Sequence, residues 1–120
     1  MTGIVDDQLR ALIRITIAAS ENGVRQEIEA WVDTAFNGGL TIPRPLVDSL
    51  GLAKAATVEA ILADGRTVPL DTFECHLDWF EKTYRTQIIA SDGAYPLLGT
   101  MILADRRLVI DYAAKTVELT

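Results

Sequence analysis

Two runs of alternating apolar and polar residues place the strongest limit on how this chain can fold. In the first run the apolar residues are spaced two apart, at Leu9, Ala11, Ile13, Ile15 and Ile17. In the second run Ile28, Ala30 and Val32 alternate with Glu27, Glu29 and Trp31. A period of two puts the apolar side chains of a strand on one face, so each run predicts a half-buried β-strand. Asn22-Gly23 between them predicts a two-residue hairpin turn, because both residues tolerate positive φ.

The remaining segments are mostly strand-like and are joined by short turns. Further strands are predicted over residues 57–63, 66–80 (with an interruption at Pro69), 83–90, 107–112 and 116–119. Asp64-Gly65 predicts a second two-residue hairpin turn, and Glu81-Lys82 a third turn. A short helix is predicted from Pro43 to Gly51, since proline suits a first turn and glycine can end a helix. A second short helix is predicted to end at Leu103. We therefore expect one mostly β, barrel-like domain over residues 1–120.

Charge and composition argue against several kinds of partner and location. The net charge is -6 and the basic residues are scattered, which argues against nucleic acid as a partner. No apolar run approaches the roughly 20 residues that a bilayer crossing needs, so no membrane association is expected. Residues 1–7 lack the features of a secretion signal, and the single Cys75 forms no internal disulfide, so a cytoplasmic location is expected. Cys75 and His76 face opposite sides of a predicted strand, which argues against a metal site or a Cys-His pair.

The candidate catalytic residue is Asp33, which ends the second alternating run. An aspartate at a strand end projects from the rim of a sheet, where the backbone N–H groups that follow can hydrogen-bond its carboxylate. The local sequence is Val32-Asp33-Thr34-Ala35-Phe36-Asn37-Gly38, and a second element, Leu97-Leu98-Gly99, comes much later. Taken alone, Asp33 would be interpreted as a turn residue that caps its own loop.

Together the two elements resemble the retropepsin-like (clan AA) aspartic proteases, in particular small single-domain bacterial and archaeal members. The pattern of those proteins is apolar-Asp-Thr-Gly-Phe-Asn-Gly, followed later by Pro-Leu-(Leu or Ile)-Gly. The resemblance covers nearly the whole chain, including the closing strand Leu108-Val109-Ile110-Asp111. It implies a closed acid-protease β-barrel with one or two short helices and one lobe per chain.

The resemblance also assigns roles to individual residues. It implies that Asp33 is catalytic and that the Thr34 hydroxyl reaches across to a partner subunit. The residues that it implies for active-site loop support are Thr34, Ala35, Asn37 and Gly38. Those that it implies pack under the site are Leu97, Leu98 and Gly99. The hairpin that matches the family's flap, and that would close over substrate, is Ala63, Asp64, Gly65 and Arg66.

The implied activity is peptide hydrolysis by a homodimer acting on an extended peptide, without a metal or another cofactor. Acid-base hydrolysis by carboxylates needs two of them, and this chain carries one such motif, so a two-fold dimer is expected. Ala35 departs from the usual glycine. Alanine is tolerated there if φ is negative and costs about 1 kcal/mol if φ is positive. The alternative is a dimeric peptide-binding module of the same fold with little or no activity. A weaker alternative is a regulatory subunit that docks through residues 73–80.

Overall fold

A computed structural model describes all 120 residues and contains ten β-strands and two short helices. In chain order the elements are β1 (Thr2–Val5), β2 (Ala11–Ala18), β3 (Gln26–Val32), β4 (Leu40–Pro43), α1 (Arg44–Leu50), β5 (Lys54–Ile61), β6 (Thr67–Trp79), β7 (Lys82–Ser91), β8 (Leu97–Leu98), α2 (Thr100–Leu103), β9 (Leu108–Asp111) and β10 (Thr116–Leu119). Neither helix has the length and apolar character that a helical bilayer crossing requires.

Six of the strands close into a barrel. The hydrogen-bonded order is β5-β6-β7-β4-β8-β3-β2-β1-β10-β9, and β6 also pairs with β2. This additional pairing joins β6, β7, β4, β8, β3 and β2 into a ring. The predicted mostly β barrel with short helices is therefore confirmed. Outside the ring, β5 extends β6 on one side, while β1, β10 and β9 extend β2 on the other.

The barrel interior is filled by the apolar faces that the alternation predicts. Ile13, Ile15 and Ile17 of β2 are almost completely buried, as are Ile28, Ala30 and Val32 of β3, whereas Glu27 and Glu29 are exposed. Full burial of one such aliphatic side chain contributes about 1.5–3 kcal/mol. The burial of these residues is why the register of β2 against β3, which pairs Ile15 with Ile28, is strongly specified.

The strand β1 was not predicted, because four residues that include Gly3 carry too little alternation. Its pairing with both β2 and β10 holds it in place.

The predicted helix from Pro43 to Gly51 is confirmed as α1. Gly51 ends α1 in the left-handed conformation with φ of 67°, and its N–H donates to the carbonyl of Asp48.

Two of the predicted tight turns are wrong in type. Between β2 and β3 the last pair is Ile17 with Gln26, so the connection is long, and neither Asn22 nor Gly23 has a positive φ. The Arg25 guanidinium donates to the carbonyls of Ser20 and Gly23, which stabilises this wider loop.

Between β5 and β6 the connection is three residues long rather than two. The Leu62 N–H donates to the Arg66 carbonyl, and among the tip residues only Gly65 has a positive φ, of 85°. This is a turn followed by a glycine bulge. In β6 itself Pro69 causes no interruption, since its ring nitrogen faces away from β5 at a point that β7 does not reach.

The two-residue primed turn occurs instead between β6 and β7. Phe80 and Glu81 have φ of 47° and 69°, and Trp79 pairs directly with Lys82. The turn predicted at Glu81-Lys82 is thus displaced by one residue. Neither residue is of the Asn or Gly type that favours this conformation. A tertiary contact accompanies it: the Arg106 guanidinium lies 3.7 Å from the centre of the Phe80 ring.

Candidate active site

The loop that carries Asp33 is held by the short strand β8. β8 lies between β3 and β4, parallel to β3 and antiparallel to β4. Leu98 is fully buried and pairs with Val32 on one side and with Leu40 on the other, so it contacts both ends of the loop over residues 33–39. Leu97 and Leu98 therefore join the strands on either side of the Asp33 loop.

Four backbone hydrogen bonds join the loop to residues 98–101. The N–H groups of Asp33, Gly99, Thr100 and Met101 donate to the carbonyls of Leu98, Gly39, Phe36 and Gly38, at 3.0, 2.7, 2.9 and 3.1 Å respectively. Satisfied backbone groups of this kind leave the loop few alternative conformations. The loop is therefore part of the barrel framework, although it lies at its rim.

Two glycines make this close packing possible, for reasons of space. A Cβ added to Gly99 would lie 2.2 Å from the Gly38 carbonyl oxygen and 2.7 Å from the Phe36 ring. A Cβ on Gly38 would lie 2.5 Å from the same ring. Both glycines therefore let the Phe36 side chain and the two backbone segments approach one another.

The Asp33 carboxylate is held by its own loop. Its Oδ1 accepts a hydrogen bond from the Ala35 N–H at 3.0 Å, and its backbone carbonyl accepts one from the Phe36 N–H at 3.2 Å. The residue is half-buried, so one side of the carboxylate is supported while the other remains reachable from solvent. An oriented and accessible carboxylate is what a general acid or base requires.

Ala35 adopts a negative φ, so the left-handed strain considered for this position is absent. Its methyl group is exposed, as are the side chains of Thr34 and Asn37. Within the chain the Thr34 hydroxyl makes no hydrogen bond, and it faces the surface beside Asp33.

The tip of the hairpin formed by β5 and β6 lies outside the barrel. Ala63, Asp64, Gly65 and Arg66 are all exposed, and no hydrogen bond joins them to residues 33–38 within one chain. Asp64 caps the tip by accepting hydrogen bonds from the Arg66 backbone N–H and from its guanidinium, and these bonds lower the pKa of Asp64. The predicted flap residues are thus brought together with one another but not with Asp33.

The base of this hairpin is fastened by Asp71 on β6. The Asp71 carboxylate lies 3.3 Å from the Lys54 ammonium group, accepts a hydrogen bond from the Thr57 hydroxyl at 3.1 Å and lies 3.4 Å from the Arg44 guanidinium. Lys54, then Thr57, lower the pKa of Asp71, and Arg44 adds to the effect. Asp71-Thr72 is a second Asp-Thr pair in the sequence, but it lies within a strand and its carboxylate is engaged by these partners.

Beside the candidate site is an apolar cavity of about 390 Å³ that the sequence did not reveal. Its walls include Arg10, Trp31, Tyr95 and Leu97. Trp31 lies two residues before Asp33, near the end of β3. The Arg10 guanidinium stacks 4.3 Å from the centre of the Tyr95 ring and is held from behind by Asp6 at 2.7 Å. In the sequence, the sign of this cavity was Trp31, an aromatic residue on the otherwise charged face of its strand. Nothing in the sequence connects Arg10 to Tyr95.

Cys75 is fully buried in the barrel, and burial raises the pKa of its thiol to about 11. A thiol of this kind stays protonated near neutral pH and is a poor nucleophile. This burial assigns Cys75 a structural role in the barrel interior.

Comparison with known proteins supports the fold through structure rather than sequence. No family model and no curated protein matches the sequence. Among solved structures, a retropepsin-like aspartic protease from Rickettsia conorii matches with a TM-score of 0.64 and 16% identity, over 99% of this chain and 88% of that one. EIAV protease in complex with the inhibitor HBY-793 matches with a TM-score of 0.57 and 14% identity, over 83% of this chain and 90% of that one. The chain therefore has a retropepsin-like fold, a single acid-protease lobe, as the sequence resemblance predicted.

Proposed function

We propose that this protein is a homodimeric aspartic endopeptidase in which each subunit contributes Asp33. The observation that carries the proposal is the position of Asp33 in a retropepsin-like lobe. Its backbone is bonded to Leu98 of the buried strand β8, and one carboxylate oxygen is held by the Ala35 N–H. This arrangement supplies half of a two-carboxylate site at the rim of a rigid barrel.

A second copy of the chain would supply the other half. Two carboxylates within hydrogen-bonding distance cannot both be ionised, so the pair shares one proton. The ionised carboxylate takes a proton from a water molecule as the oxygen of that water attacks the peptide carbonyl carbon. The protonated carboxylate gives its proton to the carbonyl oxygen. Collapse of the tetrahedral intermediate then breaks the C–N bond, and a proton passes to the amine that leaves.

The neighbouring residues suit the same arrangement. The Thr34 hydroxyl is exposed and free to bond to the partner's loop, which would brace the two Asp33 residues against each other. Asn37 and Gly38 continue the loop away from the carboxylate. The exposed backbone of the hairpin tip, residues 63–66, would cover an extended peptide and pair with it as an added strand. The apolar cavity bounded by Trp31 and Tyr95 would hold a substrate side chain close to the bond that is cut.

The negative φ of Ala35 favours an active enzyme over the binding module, because the backbone next to Asp33 is unstrained. The additional methyl group lies at the surface, where it would face substrate or the partner subunit. The single buried Cys75 suits a cytoplasmic location.

Cleavage of a mixed peptide library tests the proposal. The purified protein would be incubated with the library between about pH 4 and 7, and new termini would be identified by mass spectrometry. We expect cleavage by the native protein and a loss of at least about a thousandfold in Asp33→Asn, which removes the shared proton system but keeps the side-chain shape. Asp48→Asn, which alters an exposed carboxylate on α1, is the matched control and should retain cleavage. A native protein that cuts no more than Asp33→Asn, while both bind peptide equally, would instead identify the binding module.

A further inference from the structure

The apolar cavity beside the candidate site has one charged residue in its wall, Arg10. The rest of the wall is apolar or small, and its largest side chains are Trp31, Tyr95 and Leu97. Trp31 pairs directly with Leu97, so the wall is built on the same two strands, β3 and β8, that support the Asp33 loop. Removing a charged group from water costs free energy unless a partner compensates for it. The partners of Arg10 therefore indicate what the cavity is built to bind.

The Arg10 side chain is fixed in one orientation and is only 21% exposed. Its Nε donates a hydrogen bond to Asp6 Oδ2 at 2.7 Å. Its guanidinium carbon lies 4.3 Å from the centre of the Tyr95 ring and 5.8 Å from that of Trp31. Asp6 is itself held, because its Oδ1 accepts from the backbone N–H groups of Gln8 and Arg10 at 3.0 and 2.9 Å. A guanidinium that is already ordered loses little further freedom when it binds a ligand.

Most of the hydrogen-bonding capacity of this guanidinium is unused within the chain. Asp6 engages Nε, whereas Nη1 and Nη2 form neither a hydrogen bond nor a salt bridge. Neither of these two nitrogens is sealed from solvent. A planar guanidinium presents its N–H groups as a fork that matches the two oxygens of a carboxylate, and it stays charged at every ordinary pH. Arg10 is therefore a ready binding group for a carboxylate that enters the cavity.

A glutamate side chain combines the two chemical features that the cavity offers. Its methylene groups suit the apolar surfaces of Trp31 and Leu97, and its carboxylate suits the free nitrogens of Arg10. Glutamine has almost the same shape, but its neutral amide oxygen accepts a weaker hydrogen bond from a cation than a carboxylate does. The net charge of -6 repels acidic peptides in general. A preference for glutamate over glutamine therefore has to come from a local group such as Arg10.

We propose that this cavity selects a glutamate side chain of a bound peptide, and that Arg10 is the residue that determines this specificity. The inference rests on the proposed function in one respect, namely that a peptide lies along the Asp33 site. Its support comes from the chemistry of the cavity wall. Asp6 is a positioning residue, since it acts on the peptide only through Arg10. Because a two-fold dimer carries the cavity twice, glutamate is favoured at two positions, one on each side of the bond that is cut.

Peptide binding to the full chain, followed by NMR, tests this specificity. The protein would carry Asp33→Asn, so that no peptide is cleaved during the titration. The probes are acetyl-Thr-Val-Glu-Val-Thr-amide and the same peptide with glutamine in place of glutamate. Both ends are blocked, so only the central side chain supplies a carboxylate. The indole N–H signal of Trp31 reports occupancy of the cavity, and that of Trp79, which is buried in the barrel, is the internal reference. We expect the glutamate peptide to bind at least about tenfold more tightly than the glutamine peptide.

Three variants assign the preference to the guanidinium. Arg10→Met keeps an apolar side chain but removes the donors, so the affinity ratio between the two peptides should fall to about one. The Asp6 turn persists in that variant, because its backbone hydrogen bonds remain. Arg10→Lys keeps the charge without the fork and should give an intermediate ratio. Arg14→Gln is the matched control, since it removes an arginine that is 74% exposed and outside the cavity, and it should leave the ratio unchanged. Circular dichroism checks that each variant keeps its strands.

The comparison of the two peptides decides the proposal even before any variant of Arg10 is made. Equal affinities, or no shift of the Trp31 signal with either peptide, would overturn it. A loss in Arg10→Met that is shared equally by both peptides would also overturn it, because Arg10 would then only shape the cavity. The binding readout needs no cleavage, so the two proposals can fail separately. A glutamate preference without cleavage by the native protein would support the role of Arg10 and refute the protease. Cleavage by the native protein without a preference between matched glutamate and glutamine substrates would do the reverse.

Discussion

The Asp33 loop and the hairpin tip between β5 and β6 are both connections at the surface, yet they are fastened in opposite ways. Residues 33–39 are tied to residues 98–101 by four backbone hydrogen bonds and sit on the buried Leu98. Residues 62–66 are bonded only among themselves, and their side chains lie in solvent. The barrel therefore holds the candidate acid in place and leaves the candidate cover free to move. A hydrolase that binds a long substrate needs both properties in different regions.

The largest effect should come from adding a methyl group where the Asp33 loop meets β8. Gly99→Ala would bring a Cβ to 2.2 Å from the Gly38 carbonyl oxygen, so the two segments would have to separate. We expect a loss of about 3 kcal/mol in the free energy of unfolding, measured by urea denaturation. Gly39→Ala is the control in the same loop. The Cβ of this alanine would contact only Ile102, at 3.7 Å. The variant should therefore change the free energy of unfolding by less than about 1 kcal/mol. Equal stability of the two variants would show that the loop is not packed so closely.

A methyl group added at the hairpin tip should have a smaller and more local effect. Gly65 has φ of 85° and open space around its Cα, so Gly65→Ala costs about 1 kcal/mol through backbone strain alone. We expect faster hydrogen exchange at the amides of residues 62–66, while exchange within β2 and β3 stays unchanged. Ala63→Ser, at the same tip, has no such conformational demand and serves as the control. Faster exchange throughout the barrel would mean that the tip is not an independent region.

Substitution of an exposed apolar side chain on the hairpin should change substrate binding without changing stability. Ile61 is 80% exposed, so Ile61→Ser should leave the free energy of unfolding within about 0.5 kcal/mol of the native value. If the hairpin covers substrate, KM should rise about fivefold, because the bound peptide loses an apolar contact of about 1 kcal/mol. Val24→Ser, at a position that is 92% exposed in the loop before β3, should change neither quantity. An unchanged KM in Ile61→Ser would remove this part of the hairpin from the substrate-binding surface.

The smallest expected effect is a change in hydrogen exchange at the base of the hairpin, and it appears only at acidic pH. The pKa of Asp71 is lowered from its ordinary value of 3.8 by Lys54, Thr57 and Arg44. The stability that these contacts give the hairpin base is therefore fully present above about pH 3.8. It is lost as the pH falls below that value through the folded-state pKa. After correction for intrinsic rates, hydrogen exchange in β5 should be constant from pH 6 to about pH 4 and faster below it. In Asp71→Asn this step should be absent, and a step that persists there would assign it to another group.

The sequence determined which faces are buried and which residues are candidates for chemistry. The alternation in β2 and β3 specified the core side of both strands, because period two leaves no other way to bury the apolar residues together. Pro43 and Gly51 specified both ends of α1 through local backbone preferences. The motif Val32-Asp33-Thr34 with Leu97-Leu98-Gly99 predicted the retropepsin-like fold.

The turn between β6 and β7 and the surroundings of the site depend on tertiary contacts, whereas the other two turns depend on local hydrogen bonds and on a glycine bulge. Asn22-Gly23 and Asp64-Gly65 have the composition of two-residue turns, but the first loop is wider and is stabilised by Arg25, and a glycine bulge lengthens the second. Phe80 and Glu81, which lack that composition, form the primed turn beside Arg106.

The position of Asp33 was likewise determined by residues near it in the chain, and its surroundings by distant segments. Its place at a strand end followed from residues near it in the chain. Its support by Leu98, the unstrained φ of Ala35 and the Arg10–Tyr95 cavity beside it required segments far apart in sequence to meet. Local patterns encode which side of a strand is apolar, whereas contacts between distant segments depend on how the whole barrel closes.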